Sequence, residues 1–428
     1  MSVEVPGRRS GPGRPLWRDR RFATYWAGQG ISQLGDRVSE LALPLIAVTM
    51  LHASSTEVGV LTAAVWAPNL LSLLTGAWVD RRRRKQPLLV LGDLIQSAAI
   101  LSLPLIYWLG SITLVQLFVV ALVAGAGGTL YQTAYPNFFV ALVKRDQYVE
   151  ANSLLSVTRS GSFIAGPALA GLLVQVLTAP VAMFVDSVSF LASAVLIRRV
   201  RVDEPEPEPR EGRLLRQAVE GMRYLWRHPY MSASLRCCTC LNFFSFVATA
   251  LLVLFASRHL GLSALVIGLA FGVGAVGGLV AAVFAGWISR RLGVGPTIAV
   301  GAVLVSAPIA LLPLAAGSTW TKGAVLAGVE MLSAAGIMLF DVNLNALQTA
   351  VTSDAMRSRV SGAFSSVNYG IRPLGGIVGG IVGDLIGIGP TLVIAAIGGS
   401  LSVLWLLRSP IIGTRTIDEL HPLEPQPS

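Results

Sequence analysis

The stretch Gly76-Ala77-Trp78-Val79-Asp80-Arg81-Arg82-Arg83-Arg84-Lys85 sets one carboxylate and five consecutive cations between two apolar runs, 57–79 and 87–108. Each run has the roughly 20 residues that a helix rising 1.5 Å per residue needs to cross a ~30 Å hydrocarbon core. Cations crowded into a short loop between two such spans mark its cytoplasmic side. The same alternation of apolar run and short loop continues in both directions along the chain.

Of the 428 residues 53% are hydrophobic and 13% charged, against roughly 25% charged in a soluble globular chain. Spans are expected at 22–50, 57–79, 87–108, 113–142, 150–176, 179–197, 237–257, 264–288, 295–315, 323–349, 358–387 and 390–408. The fold class is therefore an all-α integral membrane protein of twelve transmembrane helices. A stretch of different character, Arg198 to Arg236, divides it into a tail (1–21), a six-helix bundle (22–197), a linker (198–236), a second six-helix bundle (237–408) and a second tail (409–428). Within the linker the DEPEPEPRE run cannot pack and is expected to be flexible. Leu214, Leu215, Ala218, Met222 and Leu225 fall at helical spacing, as in an amphipathic helix lying on the membrane surface.

Of the 33 basic residues, only Arg258 and Lys322 fall in the opposite loops and only Arg37, Arg159 and Arg372 well inside spans, Arg359 and Arg408 standing at cytoplasmic span ends. Both termini are thus expected in the cytoplasm, and the net charge of +10 reports topology rather than a nucleic-acid partner. Cys237, Cys238 and Cys240 lack the Cys–His spacing of a zinc site and are expected as small apolar residues at a helix start, so no metal is expected. The basic N-terminus precedes too long an apolar run for a removable signal peptide. Shifted by about 206 residues, Pro167 meets Pro373 and Ala170 meets Gly376; shifted by 210, Gly76 meets Gly286. Faint repetition of this kind indicates two related six-helix halves.

The loop after the second span resembles the G-x-x-x-D-R-x-G-R-R/K motif of the major facilitator superfamily, matched by Gly76, Asp80, Arg81, Arg84 and Lys85, with Arg83 in place of a glycine. The fifth span, with Gly161 and then Gly166-Pro167-Ala168-Leu169-Ala170-Gly171, resembles the G-P-x-x-G-G motif of drug:proton antiporters, with Ala170 in place of a glycine. GQGISQLGD, RDQYVEANSLLS, FVDSVSFLASA and EGMRYLWRHP are similar to the twelve-helix branch that holds macrolide efflux proteins, multidrug exporters and the enterobactin exporter. The resemblance implies two pseudo-symmetric bundles, alternating access, efflux and a role in antibiotic resistance.

Charges within spans are expensive and mark function. Gln29, Gln33, Asp36 and Glu40 step by 4, 3 and 4 and share one helix face. Asp36 is the leading candidate for a proton or cationic-substrate site, Glu40 the second, with Arg37 paired to a neighbouring carboxylate. On the tenth span Glu330, Asp341 and Gln348 share a face, and Asp341 aligns with Gln132 of the fourth under a shift of 209. The two stripes are expected to face each other across a cavity. Arg159 and Arg372 need partners, for which Asp36 and Asp341 are candidates. Ser365, Asn368 and Tyr369 share the face of Arg372, whereas Asp186 is expected to be structural. Trp66, Tyr131, Tyr135, Phe243 and Phe244 are expected mainly to pack, and none of His52, His228, His259 and His421 falls deep in a span.

These features point to a secondary transporter of the cell (inner or plasma) membrane that exports a drug-like amphipathic molecule by proton antiport; the alternative is export of a siderophore or other endogenous metabolite. No phosphate-cradling loop and no usable Ser-His-Asp set is present, so an enzyme is not expected. The expected energy source is the proton gradient, with no cofactor, and the expected partners are a small-molecule substrate, protons and the bilayer, the chain acting as a monomer.

Overall fold

The computed structural model describes residues 15–110, 112–202, 204 and 214–420. The expectations for 1–14, the Pro-Glu stretch 205–213 and 421–428 lie outside the described residues, as do those for the side chains of Leu214, Leu215 and Ala218.

Every regular element among the described residues is helical. The first half holds α1 (Arg20–Leu45), α2 (Ser55–Trp66, resumed as Ser72–Asp80), α3 (Gln86–Trp108), α4 (Leu114–Leu142), α5 (Tyr148–Leu177) and α6 (Ala179–Arg199). The second half holds α7 (Pro229–Leu254), α8 (Ala264–Leu292), α9 (Val294–Ser306), α10 (Thr319–Val351), α11 (Asp354–Ile386) and α12 (Ile388–Leu401). Each coincides with one expected span. By length and composition nine of the described helices can cross a membrane alone, and α2 does so as a pair bent by 49°, where Pro68 interrupts the hydrogen-bond ladder. The two that fall short are α1, with Asp36, Arg37 and Glu40, and α11, with Arg372 and Asp384. The cysteines sit two turns inside α7 rather than at its start, because Pro229 and the His228 cap begin that helix earlier than the apolar run does.

The two halves repeat in backbone detail. A π-helical turn, Ile46–Met50, ends α1, and another, Phe255–His259, ends α7, an offset of 209 residues. Thr178 between α5 and α6 (φ 74°, ψ 156°) and Gly387 between α11 and α12 (φ 94°, ψ 154°) adopt the same conformation at the same offset.

The halves meet along two glycine-lined crossings. A Cβ on Gly59 of α2 would stand 2.4 Å from the Gly376 carbonyl of α11, and one on Gly268 of α8 would stand 2.2 Å from the Pro167 carbonyl of α5. Missing side chains let the backbones approach this closely. Both crossings lie toward the end away from the termini. There a single hydrophobic core runs through both halves, from Leu41 and Leu61 to Leu251 and Leu326. At the end carrying the termini the cores are separate, one around Leu89 and Phe138 and one around Leu241 and Leu344. The molecule is closed at one end and open at the other.

The linker helix (Leu214–Arg227) packs Met222 and Leu225 on the protein rather than on lipid. Leu225 is buried, Gly221 lies against the Arg359 carbonyl, and Glu220 pairs with Arg359 at 2.9 Å.

Candidate functional site

A cavity of about 620 Å³ opens at the separated end and reaches mid-depth, lined wholly by residues of the second half, from Met231 of α7 to Arg372 of α11. Its deep end is polar. Arg372 Nε donates to Asn242 Oδ1 (3.2 Å), and Asn242 Nδ2 donates to Asn368 Oδ1 (3.3 Å). The Arg372 guanidinium rests over Tyr369 (4.4 Å), Phe246 (5.0 Å) and Trp66 of the opposite half (4.5 Å). A cation at this depth without a carboxylate in contact is stabilised by the faces of such rings. Asp341 lines the same cavity within electrostatic reach of Arg372 but not in contact, so the expected Arg372–Asp341 ion pair is not formed in this state.

Glu330 does not share the cavity with Asp341 and Gln348. It stands three turns nearer the closed end, where Gly274 of α8 leaves room for its Cβ (2.4 Å from a Cβ placed there). Of the common face on α10, only the part toward the open end, with Asp341 and Gln348, lines the cavity.

The stripe of α1 does not face that of α10 across the cavity. Gln29 Oε1 accepts from Tyr131 Oη of α4 (2.5 Å). Asp36 is half-buried and within electrostatic reach of Asp186, Glu40, Arg37 and Asp93. Arg37 pairs with Glu40 (2.5 Å) and lies over Phe163 of α5 (4.2 Å). Arg159, expected beside Asp36, instead approaches the same Phe163 ring (5.7 Å). Gln33 is half-buried, and Gln132 is exposed on α4 outside the cavity lining. Asp186 is fully buried and accepts from Ser39 and Ser189, which ties α6 to α1.

The fifth-helix motif lies at the seam. Gly166 receives the stem of Arg37, Pro167 and Gly171 contact α8, and Gly161 faces open space. In the loop motif, Gly76 packs beside Thr133 and Asp80 Oδ1 accepts from Asn137 of α4 (3.3 Å). Arg81 and Arg84 are exposed. Lys85 is buried, its Nζ donating to the carbonyls of Val79, Asp80 and Arg82 at the end of α2. A cation there satisfies carbonyls that a helix end leaves free.

Two residues escaped sequence reasoning. Asp384 of α11 accepts from the backbone nitrogens of Ser55 and Thr56 (2.9 Å each) and so caps α2 across the seam; the sequence holds no local signal for a cap from 328 residues away. Asp93, buried in α3, did carry a signal, as the one charged residue in the run 87–108.

The family model described as Major Facilitator Superfamily matches residues 25–379 and again 237–419. The chain belongs to the major facilitator superfamily. This member of the superfamily is a multi-pass membrane transporter, not an enzyme. It is 26% identical to the multidrug efflux pump Tap of Mycobacterium tuberculosis over 91% of this chain and 92% of that one. It is 23% identical to macrolide efflux protein A of Streptococcus pyogenes over 48% and 51%. Among solved structures a bacterial homologue of the iron transporter ferroportin in its inward-facing state superposes with a TM-score of 0.71 at 20% identity, covering 91% of this chain and 99% of that one. A bacterial ferroportin homologue in the outward-facing state superposes less well, at 0.57, with 19% identity over 90% and 97%. The fold is that of these transporters.

Proposed function

We propose that this transporter exports an amphipathic, drug-like molecule from the cytoplasm in exchange for entering protons, with the open end facing the cytoplasm. The observation that carries the reading is the pairing of a polar cavity, open at the end that holds the basic loops, with carboxylates set at depth in α1 and α10. Basic loops stay in the cytoplasm. The polar cavity suits capture from inside, and the likeness to drug exporters supports that direction. Carboxylates at depth can hold and release protons as their surroundings change. At ~100 mV each entering charge supplies about 2.3 kcal/mol. Asp36 and Glu40 serve as coupling groups, Asp341 and Arg372 contact substrate, and the chain works as a monomer in the plasma membrane.

The test is proton movement in liposomes carrying an internal pH dye, with cationic and macrolide-like drugs added to wild type and Asp36→Asn. Drug-driven proton flux in wild type that is lost in the variant supports antiport through Asp36. A second reading, export of an acidic endogenous metabolite, draws support from Arg372, whose two terminal nitrogens bond to no acceptor among the described residues, only Nε being engaged; flux driven by carboxylate or hydroxamate compounds and not by drugs supports it.

A further inference from the structure

On the outside of the second half, three elements bring two tryptophans to one arginine. The Arg236 guanidinium of α7 lies over Trp226 of the linker helix (5.4 Å) and over Trp405 (5.3 Å), in the short helix Leu404–Leu407 that follows α12. Both rings and the arginine are exposed. Other surface arginines rest on a tryptophan close in sequence: Arg18 on Trp17, Arg82 on Trp78 and Arg291 on Trp287. Arg236 differs in drawing its rings from 10 residues before it and 169 after.

The depth of Arg236 is that of lipid headgroups. With its π-helical turn α7 runs 31 residues, about 46 Å, and so extends about 8 Å beyond each side of a ~30 Å core. Arg236 stands seven residues from its start, about 10 Å along, at the boundary of that core. It lies nine residues before Ser245, which lines the cavity, hence about 180° around the helix from it. The side chain therefore faces lipid, not substrate.

The surroundings suit an amphipathic anion. Arg227 and Arg408, both exposed, follow the two tryptophans by one and three residues, and exposed Arg223 precedes Trp226 by three. None of these four arginines pairs with a carboxylate among the described residues. The rings occupy the face of the Arg236 guanidinium and leave its N–H edge for a phosphate, which arginine can bind through two parallel bonds. From Trp405 an apolar stripe of exposed Leu404, Leu401, Ile397 and Ile394 runs along α12 into the membrane, where an acyl chain lies. A soluble phosphate has no use for such a stripe.

We propose that Trp226, Arg236 and Trp405 form a binding site for an anionic phospholipid of the cytoplasmic leaflet, which ties the linker helix to α7 and to the end of α12. The site is independent of which molecule is transported.

The experiment is native mass spectrometry and thermal unfolding of the full chain in detergent micelles containing phosphatidylglycerol, phosphatidylcholine or inorganic phosphate, on wild type, Arg236→Gln, Trp405→Leu and Arg291→Gln. Phosphatidylglycerol should stay bound and raise the unfolding temperature of wild type, and the other two should not. Diffuse attraction to an anionic surface is worth about fivefold per arginine wherever it stands. A built site is marked by Arg236→Gln weakening retention about tenfold or more while Arg291→Gln loses no more than the diffuse share. Trp405→Leu keeps every charge and should also weaken retention. Equal losses in Arg236→Gln and Arg291→Gln overturn the proposal, as does equal retention of the two lipids or a shift that inorganic phosphate reproduces. Should Arg236→Gln fail to fold, Arg236→Lys keeps the charge without the planar fork; retention at the wild-type level in it overturns the site.

Discussion

The Cγ of Arg37 stands 2.3 Å from the position a Cβ on Gly166 would take, so the stem of the α1 cation fills a groove that a missing side chain leaves on α5. The glycine of the fifth-helix motif thereby positions the arginine that engages Glu40 and Phe163. Gly166→Ala is expected to push Arg37 off both partners, with an overpacking cost of about 1–3 kcal/mol and loss of most efflux. Gly161→Ala, which meets nothing within 4 Å, is the control and should fall within about 0.5 kcal/mol of wild type. Thermal unfolding and efflux of a fluorescent drug, measured on both variants, decide this.

Asp384 holds the closed end by capping α2 from α11, and Arg258 adds a bond to the Val48 carbonyl (2.9 Å). Asp384→Ala should remove about 1 kcal/mol of closed-end contact, shifting the population toward the outward-open state roughly fivefold. Spin labels in loops 51–54 and 260–263 should report longer distances in the variant; unchanged distances refute a latch.

Thr178 adopts φ 74°, ψ 156°, a region that suits glycine and that Gly387 occupies at the corresponding place. A side chain held there costs about 1–3 kcal/mol. Thr178→Gly should therefore raise the unfolding temperature and leave transport intact, whereas Gly387→Thr should lower it.

Arg372 depends on planar stacking as well as charge. A lysine offers neither the flat face nor the Nε bond to Asn242, so Arg372→Lys should weaken binding of a transported compound about tenfold or more. Trp66→Leu removes one ring of the cage, worth about 0.5–2 kcal/mol, and should weaken binding less. Fluorescence anisotropy of a bound substrate measures both.

His228 caps α7 through Nδ1, which accepts from Met231 N (3.4 Å), and its Nε2 is buried without a partner. Burial lowers the imidazole pKa below its ordinary value. Once the pH falls below about 6.5 the unfolded chain takes up a proton that the folded cap refuses, so stability declines on acidification and is flat above that value. Unfolding temperature against pH should lose this component in His228→Asn.

Asp36, Arg37 and Glu40 show where sequence stops. Their steps of 3 and 4 gave a face, and the run of five cations after Asp80 gave an orientation, because helix period and membrane thickness act on neighbours along the chain. Lengths of apolar runs likewise gave the places of the helices, and the motifs at Gly76–Lys85 and Gly166–Gly171 pointed to the family that the whole-chain match shows. Which carboxylate meets which cation was not legible. Arg159 went to the Phe163 ring one turn along its own helix, and Arg372 to Tyr369 and to the distant rings of Trp66 and Phe246, rather than to Asp36 and Asp341. Glu330 left the cavity although Asp341, on the same face, stayed. Asp384 found its partners 328 residues away. Such pairings follow from how far the two halves tilt and which glycines let backbones meet, quantities that depend on all twelve helices at once and that only the tertiary structure decides.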